Sequence, residues 1–128
     1  MEEIHRVIGN YLSALKTADV DRVVALYADD AVLMPANAAT QVGEQALRSF
    51  YQTLFQQIAL ELTFTPVETQ VLGEWVFARV SITGTRTHQD SGKTEEVDNK
   101  VIVLLQKDDQ GDWKIARQIF NSNLPSSE

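Results

Sequence analysis

Ile4, Val7, Ile8, Tyr11, Leu12 and Leu15 recur three and four residues apart at the start of the chain, a spacing that predicts one amphipathic helix. Asp19 stands where the N-cap of a second, short helix belongs, with Asp21 favourable in its first turn. Val20, Val23, Val24 and Tyr27 form that helix's buried side. A brief strand over residues 31–34 ends at Pro35, and a loop over 36–42 follows. A third helix opens near Gly43 with a broad apolar face of Leu47, Phe50, Tyr51, Leu54, Phe55 and Ile58.

From Leu60 the period changes to two. Leu60, Leu62 and Phe64 alternate with Glu61, Thr63 and Thr65, and Pro66 marks an edge or a bend. Longer strands are predicted over 74–87, 94–107 and 112–122. Asp90-Ser91-Gly92 suits a three-residue hairpin loop with glycine in the left-handed position, and Asp109-Gln110 a two-residue tip. Helices first and an antiparallel meander afterwards define an α+β class. The expected architecture is three N-terminal helices packed in the concave face of a curved, mostly antiparallel sheet, a cone-shaped α+β barrel.

Loop length fixes which side chains share a face. With these loops, one face carries Val76, Ala78, Val80, Ile82, Asp98, Lys100, Ile102, Leu104, Ile115, Arg117, Ile119 and Asn121. The other carries Trp75, Phe77, Arg79, Ser81, Asn99, Val101, Val103, Leu105, Ala116, Gln118 and Phe120. Both are too apolar for water, and one helical layer covers only one of them. The second is therefore expected to meet another copy of the chain in a homodimer, through Trp75, Phe77, Arg79, Val101, Val103 and Phe120.

The 128 residues suit a single domain over 1–128, with 124–128 as a frayed tail, and the 44% apolar content can fill a core. The net charge of −7 argues against nucleic acid and against an anionic membrane face. No cysteine is present, which excludes disulfides, thiolate metal sites and a cysteine nucleophile. The acidic Met1-Glu2-Glu3 start is unlike a signal peptide, so the cytoplasm is the expected compartment. His5 and His88 have no metal-ligand neighbours in sequence and read as surface residues; no metal and no cofactor is expected. Asp29 and Asp30 read as turn residues after the second helix rather than as a catalytic pair.

Three stretches carry a resemblance: Asp19-Val20-Asp21 through Tyr27-Ala28-Asp29-Asp30-Ala31-Val32 to Pro35, Gly43 opening the long helix, and Trp113-Lys114-Ile115-Ala116-Arg117 near the end. Over nearly its whole length the chain resembles the nuclear transport factor 2-like, or SnoaL-like, superfamily, most of all its small SgcJ/EcaC-type members. The superfamily includes steroid isomerases, dehydratases, polyketide cyclases, kinase association domains and transport factors, so the resemblance specifies fold and not reaction. In its ketosteroid isomerase-like members a tyrosine of the first helix donates a hydrogen bond to the substrate oxygen, and Tyr11 stands at that place. The resemblance puts Met34 where those enzymes have their catalytic-base aspartate and Ile102 where they have a second, acidic oxyanion donor. Neither side chain can move a proton, which argues against steroid isomerisation.

The ligand site expected from these readings is Tyr11, Lys100, Arg117 and Asn121 as polar groups, with Met34, Phe50, Leu54, Val80 and Ile102 as apolar walls. Each has a plainer reading beside it. Tyr11 can be a core tyrosine, Asn121 can satisfy backbone at a strand end, and Asp98 can pair with Lys100 or Arg117 in a structural ion pair. The function expected is a small dimeric protein whose pocket binds a mostly apolar molecule bearing an oxygen or carboxylate, with isomerase, lyase or cyclase chemistry as an extension. The alternative is a non-catalytic dimerisation or association module. The ligand expectation depends on Arg117 and Lys100 turning inward beside Tyr11.

Overall fold

A computed structural model describes residues 2–125. The last part of the expected frayed tail, residues 126–128, lies outside the described residues. Helix α1 (Glu2–Lys16) buries Ile4, Ile8, Tyr11, Leu12 and Leu15, the predicted stripe. Helix α2 (Val20–Ala25) is capped by Asp19, whose side chain accepts from the Arg22 amide at 3.2 Å. Strand β1 (Tyr27–Met34) begins four residues earlier than the sequence suggests, and β2 (Gln41–Val42) is a two-residue strand inside the predicted loop. Helix α3 (Glu44–Gln57) runs directly into β3 (Ile58–Leu72), followed by β4 (Trp75–His88), β5 (Thr94–Lys107) and β6 (Trp113–Ser122).

The six strands form one sheet in the order β2-β1-β6-β5-β4-β3. Only β1 and β6 are parallel, as expected of a chain that leaves its first strand through a helix and returns much later. Strand β3 continues through Pro66, where a bulge at Val67 interrupts its pairing with β4. A proline missing a ladder donor is tolerated there because β3 is an edge strand. The helices lie on the concave side, and Ile4, Leu33, Leu47, Tyr51, Val76, Leu105 and Ile115 are among the fully enclosed side chains. The architecture is thus the α+β cone expected from the sequence, with a mixed sheet.

Both hairpins differ from their sequence-based readings, and the difference decides which residues face inward. Between β4 and β5 the last pair is Thr87 with Thr94, and His88 donates to the Lys93 carbonyl at 2.8 Å. The loop therefore spans the four residues 89–92. Gln89 is drawn out of the ladder by α3: its amide donates to the Gln57 carbonyl at 2.9 Å and its side chain to the Phe55 carbonyl at 2.7 Å. One extra loop residue reverses the parity of β5. Val80 consequently stands opposite Val101, and Ile82 opposite Asn99.

Between β5 and β6 the tip is Asp109-Gln110-Gly111, closed by the Asp108 amide on the Asp112 carbonyl at 2.8 Å. The Asp108 carboxylate accepts from the amides of Gln110 and Asp112, each at 2.9 Å. Farther on, Leu105 pairs with Ile115 but Leu104 with Arg117, so Ala116 is an inserted, fully buried residue. This bulge reverses the facing of β6 partway along. Ile115 points inward before it, Gln118 and Phe120 point inward after it, and Arg117, Ile119 and Asn121 point outward.

Candidate functional site

All three tyrosines of the chain meet in one place. Tyr11 comes from the core stripe of α1, Tyr51 from the middle of α3, and Tyr27 from the first position of β1. Tyr11 Oη and Tyr51 Oη are 2.7 Å apart, Tyr51 Oη and Tyr27 Oη 2.7 Å, and Tyr27 donates to Gln118 Oε1 at 2.5 Å. Gln118 Nε2 lies 3.4 Å from Tyr11 Oη and closes the ring. Edge-on packing of Tyr11 against Tyr27 (6.1 Å, 87°) and against Tyr51 (6.4 Å, 79°) fixes the phenol planes.

The proton sense of this ring follows from one assignment. With Tyr27 donating to Gln118, Tyr51 must donate to Tyr27 and Tyr11 to Tyr51, because each phenol has one proton. Every phenol oxygen then gives and receives one hydrogen bond. Burial, reinforced by the neighbouring phenols, pushes the hydroxyls of Tyr27 and Tyr51 well above the ordinary tyrosine range. Both are neutral donors at physiological pH.

The ring forms one end of a hollow of about 340 Å³, within the size range of small-molecule sites. Leu12 and Leu15 of α1, Phe50 and Leu54 of α3, and Leu60, Leu62, Ile82, Val97, Val101 and Phe120 of the sheet make its walls. Residues 35–38 close one side. The polar lining beyond the ring is Arg86, Asn99, Ser122 and Asn37. No aspartate or glutamate borders the hollow among the described residues. The site can therefore donate hydrogen bonds to an oxygen and shield it from water, but it offers no carboxylate base.

Of the residues expected from the sequence, Tyr11, Phe50 and Leu54 border this hollow. Val80 is a core residue, 4% exposed and paired with Val101. Met34 does not border the hollow; it pairs in register with the exposed Ile119. Lys100, Ile102, Arg117 and Asn121 lie on the outer face of the sheet, the reverse of the expected placement, because of the fourth hairpin residue and the Ala116 bulge. Arg117 donates to the carbonyls of Asp30 (3.3 Å) and Ala116 (2.7 Å). Asn121 accepts from the Ser122 amide at 2.9 Å. Lys100, Ile102 and Asn121 do share a depression with Arg79 and Val67, but on the outer side. Asp98 pairs with neither cation: its carboxylate accepts from Asn123 Nδ2 at 2.9 Å.

The same parity change corrects the other face. Trp75, Phe77 and Arg79 are outward as expected, whereas Val101 and Val103 are buried core and Phe120 lines the hollow. The histidines are not free surface groups. His5 Nε2 is buried without a hydrogen-bond partner, its ring edge-on to Phe64 at 6.1 Å. His88 Nε2 is 2.7 Å from Glu95 Oε1, which also accepts from Arg86 Nε at 2.9 Å. Those two partners hold the Glu95 carboxyl down to about 2. Asp29 and Asp30 sit exposed within β1, where its pairing with β6 is interrupted, rather than in a turn.

Tyr27, Tyr51, Gln118 and Arg86 escaped the sequence reading. A signal existed for the tyrosines: each stood on a stripe assigned to the core, and a buried phenol requires a partner. Nothing local marks Gln118, whose direction is set by the bulge at Ala116.

A curved sheet closed by helices over a hollow with a polar end defines an α+β pocket protein of the nuclear transport factor 2-like fold. The sequence profile of the SnoaL-like domain matches residues 8–118, and the chain belongs to that family. It is similar to a ketosteroid isomerase-like protein from Erwinia carotovora atroseptica, with 28% identity, coverage of 98% of this chain and 97% of that one, and a TM-score of 0.90. A nuclear transport factor 2-like superfamily protein from Salmonella enterica serovar Typhimurium shares the fold at 18% identity, covering 98% and 92% of the two chains, with a TM-score of 0.84. So does a candidate calcium/calmodulin-dependent protein kinase II association domain from Xanthomonas campestris, at 19% identity, 97% and 87% coverage and a TM-score of 0.78.

Proposed function

We propose that the protein binds a mostly apolar small molecule whose oxygen sits against Tyr11 at the tyrosine ring. The observation that carries this reading is the four-membered hydrogen-bonded ring bordering a mostly apolar hollow. In the proton sense described Tyr11 accepts from a ligand hydroxyl, and with the Gln118 amide turned over the phenol chain donates to a ligand oxygen, more strongly when that oxygen gains negative charge. Of the isomerase, lyase and cyclase chemistries of related proteins, steps limited by an enolate or phenolate oxygen suit this equipment. Steps that need a carboxylate base do not, since the hollow presents none among the described residues. Arg117 and Lys100 have no part in this reading; their place on the outer face removes them.

The protein acts as a homodimer in the same reading. Its outer sheet face leaves Ile102 40% and Ile119 44% exposed beside Arg79, Lys100 and Arg117. The same face favours the second reading, a non-catalytic association module, in which the hollow has no ligand. Mass spectrometry of molecules that co-purify with the chain, followed by titration with β-naphthol, separates the two. Binding is expected, and Tyr11→Phe is expected to weaken it about 3- to 10-fold, the loss of one neutral hydrogen bond. Equal affinity of the variant would remove Tyr11 as the oxygen site, and an empty, unresponsive hollow would favour the association module.

A further inference from the structure

The hollow has a second polar end. Arg86 is the one charged side chain bordering it among the described residues, and it reaches the concave face because β4 alternates through Ile82, Gly84 and Arg86. Its Nε is held at 2.9 Å by Glu95 Oε1, and that oxygen is fixed in turn by His88 at 2.7 Å. Glu95 does not itself border the hollow. The guanidinium is thus anchored from behind, and no described group takes its two terminal amino groups. A pair of parallel N–H donors on a fixed plane matches the two oxygens of a carboxylate. The Arg86 side chain is 46% exposed, so an incoming anion keeps part of its hydration and the desolvation cost stays moderate.

The two polar groups border the hollow from different parts of α3 and the sheet. Phe50, Tyr51 and Leu54 of α3 and Ile58 just past the helix end border the hollow, about two helical turns in all. Tyr51 belongs to the ring, and Leu60, just beyond Ile58, is the register partner of Arg86. The walls between the two ends include Leu54, Leu62 and Ile82.

We infer that the pocket takes an elongated, mostly apolar organic acid, its carboxylate on Arg86 and a hydroxyl or carbonyl oxygen on the tyrosine ring. This rests on the proposed ligand reading and adds the charge and length of the ligand to it. Three probes test it against the full chain at neutral pH and low salt: β-naphthol, β-naphthoic acid, and the naphthoic acid that carries a hydroxyl on the opposite ring. The hydroxy-acid is expected to bind about 10-fold more tightly than β-naphthol, the worth of one charge-assisted hydrogen bond. It should also bind more tightly than the acid lacking the hydroxyl. Arg86→Gln is expected to bring the ratio of hydroxy-acid to naphthol affinity to about one. Tight naphthol binding with no preference for the acid, or a preference that survives Arg86→Gln, overturns the assignment of Arg86 and leaves the oxygen site standing. Failure of all three probes to bind overturns both.

Discussion

Gln118 presents an amide oxygen to Tyr27 and an amide nitrogen to Tyr11, and that orientation sets the direction of every proton in the ring. As it stands, Tyr11 gives its proton to Tyr51 and faces the hollow as an acceptor. With the amide turned over, Gln118 donates to Tyr27, the chain runs from Tyr27 through Tyr51 to Tyr11, and Tyr11 can donate either to the Gln118 oxygen, then 3.4 Å away, or into the hollow. The pocket can thus meet a hydroxyl in one state and a carbonyl or oxyanion in the other. Gln118→Leu fixes the second sense, because Tyr27 is left with only Tyr51 as its acceptor. A ketone probe such as acetonaphthone, which can only accept, is expected to bind this variant about 3- to 10-fold more tightly. Urea denaturation should show a loss of about 1 kcal/mol, since the Tyr27 oxygen loses its donor. Unchanged ketone affinity would mean that the amide does not control the ring. Little of this was legible in the sequence. The tyrosines were visible as misplaced polar atoms on apolar stripes, but Gln118 sits in a run whose plain alternation assigns it to the opposite face.

The elements were read more successfully than their registers, and the reason is physical. Stripes on α1 and α3 and alternation in β3 are local properties, so Leu12, Leu47 and Leu62 declare their facing directly. The parity of β5 depends instead on Gln89, which leaves the ladder to satisfy the carbonyls at the end of α3. No window of sequence contains that contact. One residue of error then carried Lys100, Ile102, Arg117 and Asn121 to the wrong side, while the fold class survived untouched. The close approach of β3 and β4 has a local mark as well. Gly84 has φ +152°, and a Cβ there would stand 2.0 Å from the Glu61 carbonyl oxygen on the neighbouring strand. Arg86 lies two residues beyond this close approach, on the same face of β4. Gly84→Ala is expected to cost about 2–4 kcal/mol by urea denaturation, from backbone strain together with the clash. A cost within about 0.5 kcal/mol, that of an ordinary surface substitution, would show that the close approach of β3 and β4 is not required.

At the scale of the molecule, the proposed reading gives the concave and convex sides of the sheet separate tasks, and the separation can be tested. A sheet face in water should alternate toward polar residues, yet Ile102 and Ile119 are register partners at the centre of the convex side, with Phe77 and Leu104 beside them. Strands β3 to β6 offer a surface about 19 Å by 33 Å, roughly 600 Å², close to the ~800 Å² each partner contributes to a standard interface. Charge points to a second copy as the occupant. The chain carries −7 overall, but on this face Arg79 is neutralised by Glu68 at 2.9 Å, and Lys100, Arg117 and the unpaired Asp98 leave it without the chain's negative excess. Two copies meeting here therefore avoid the repulsion that their remaining surfaces would generate. Sedimentation equilibrium at micromolar concentration is expected to give a dimer, and Ile102→Glu with Ile119→Glu a folded monomer by circular dichroism. Neither isoleucine borders the hollow, so the monomeric variant should retain the β-naphthol affinity of the parent. A monomeric parent chain would end the dimer proposal. A monomeric variant that loses the ligand as well would show that the two faces are coupled, with the sheet's curvature, and hence the width of the hollow, maintained by the partner rather than by Gly84 and the Ala116 bulge alone.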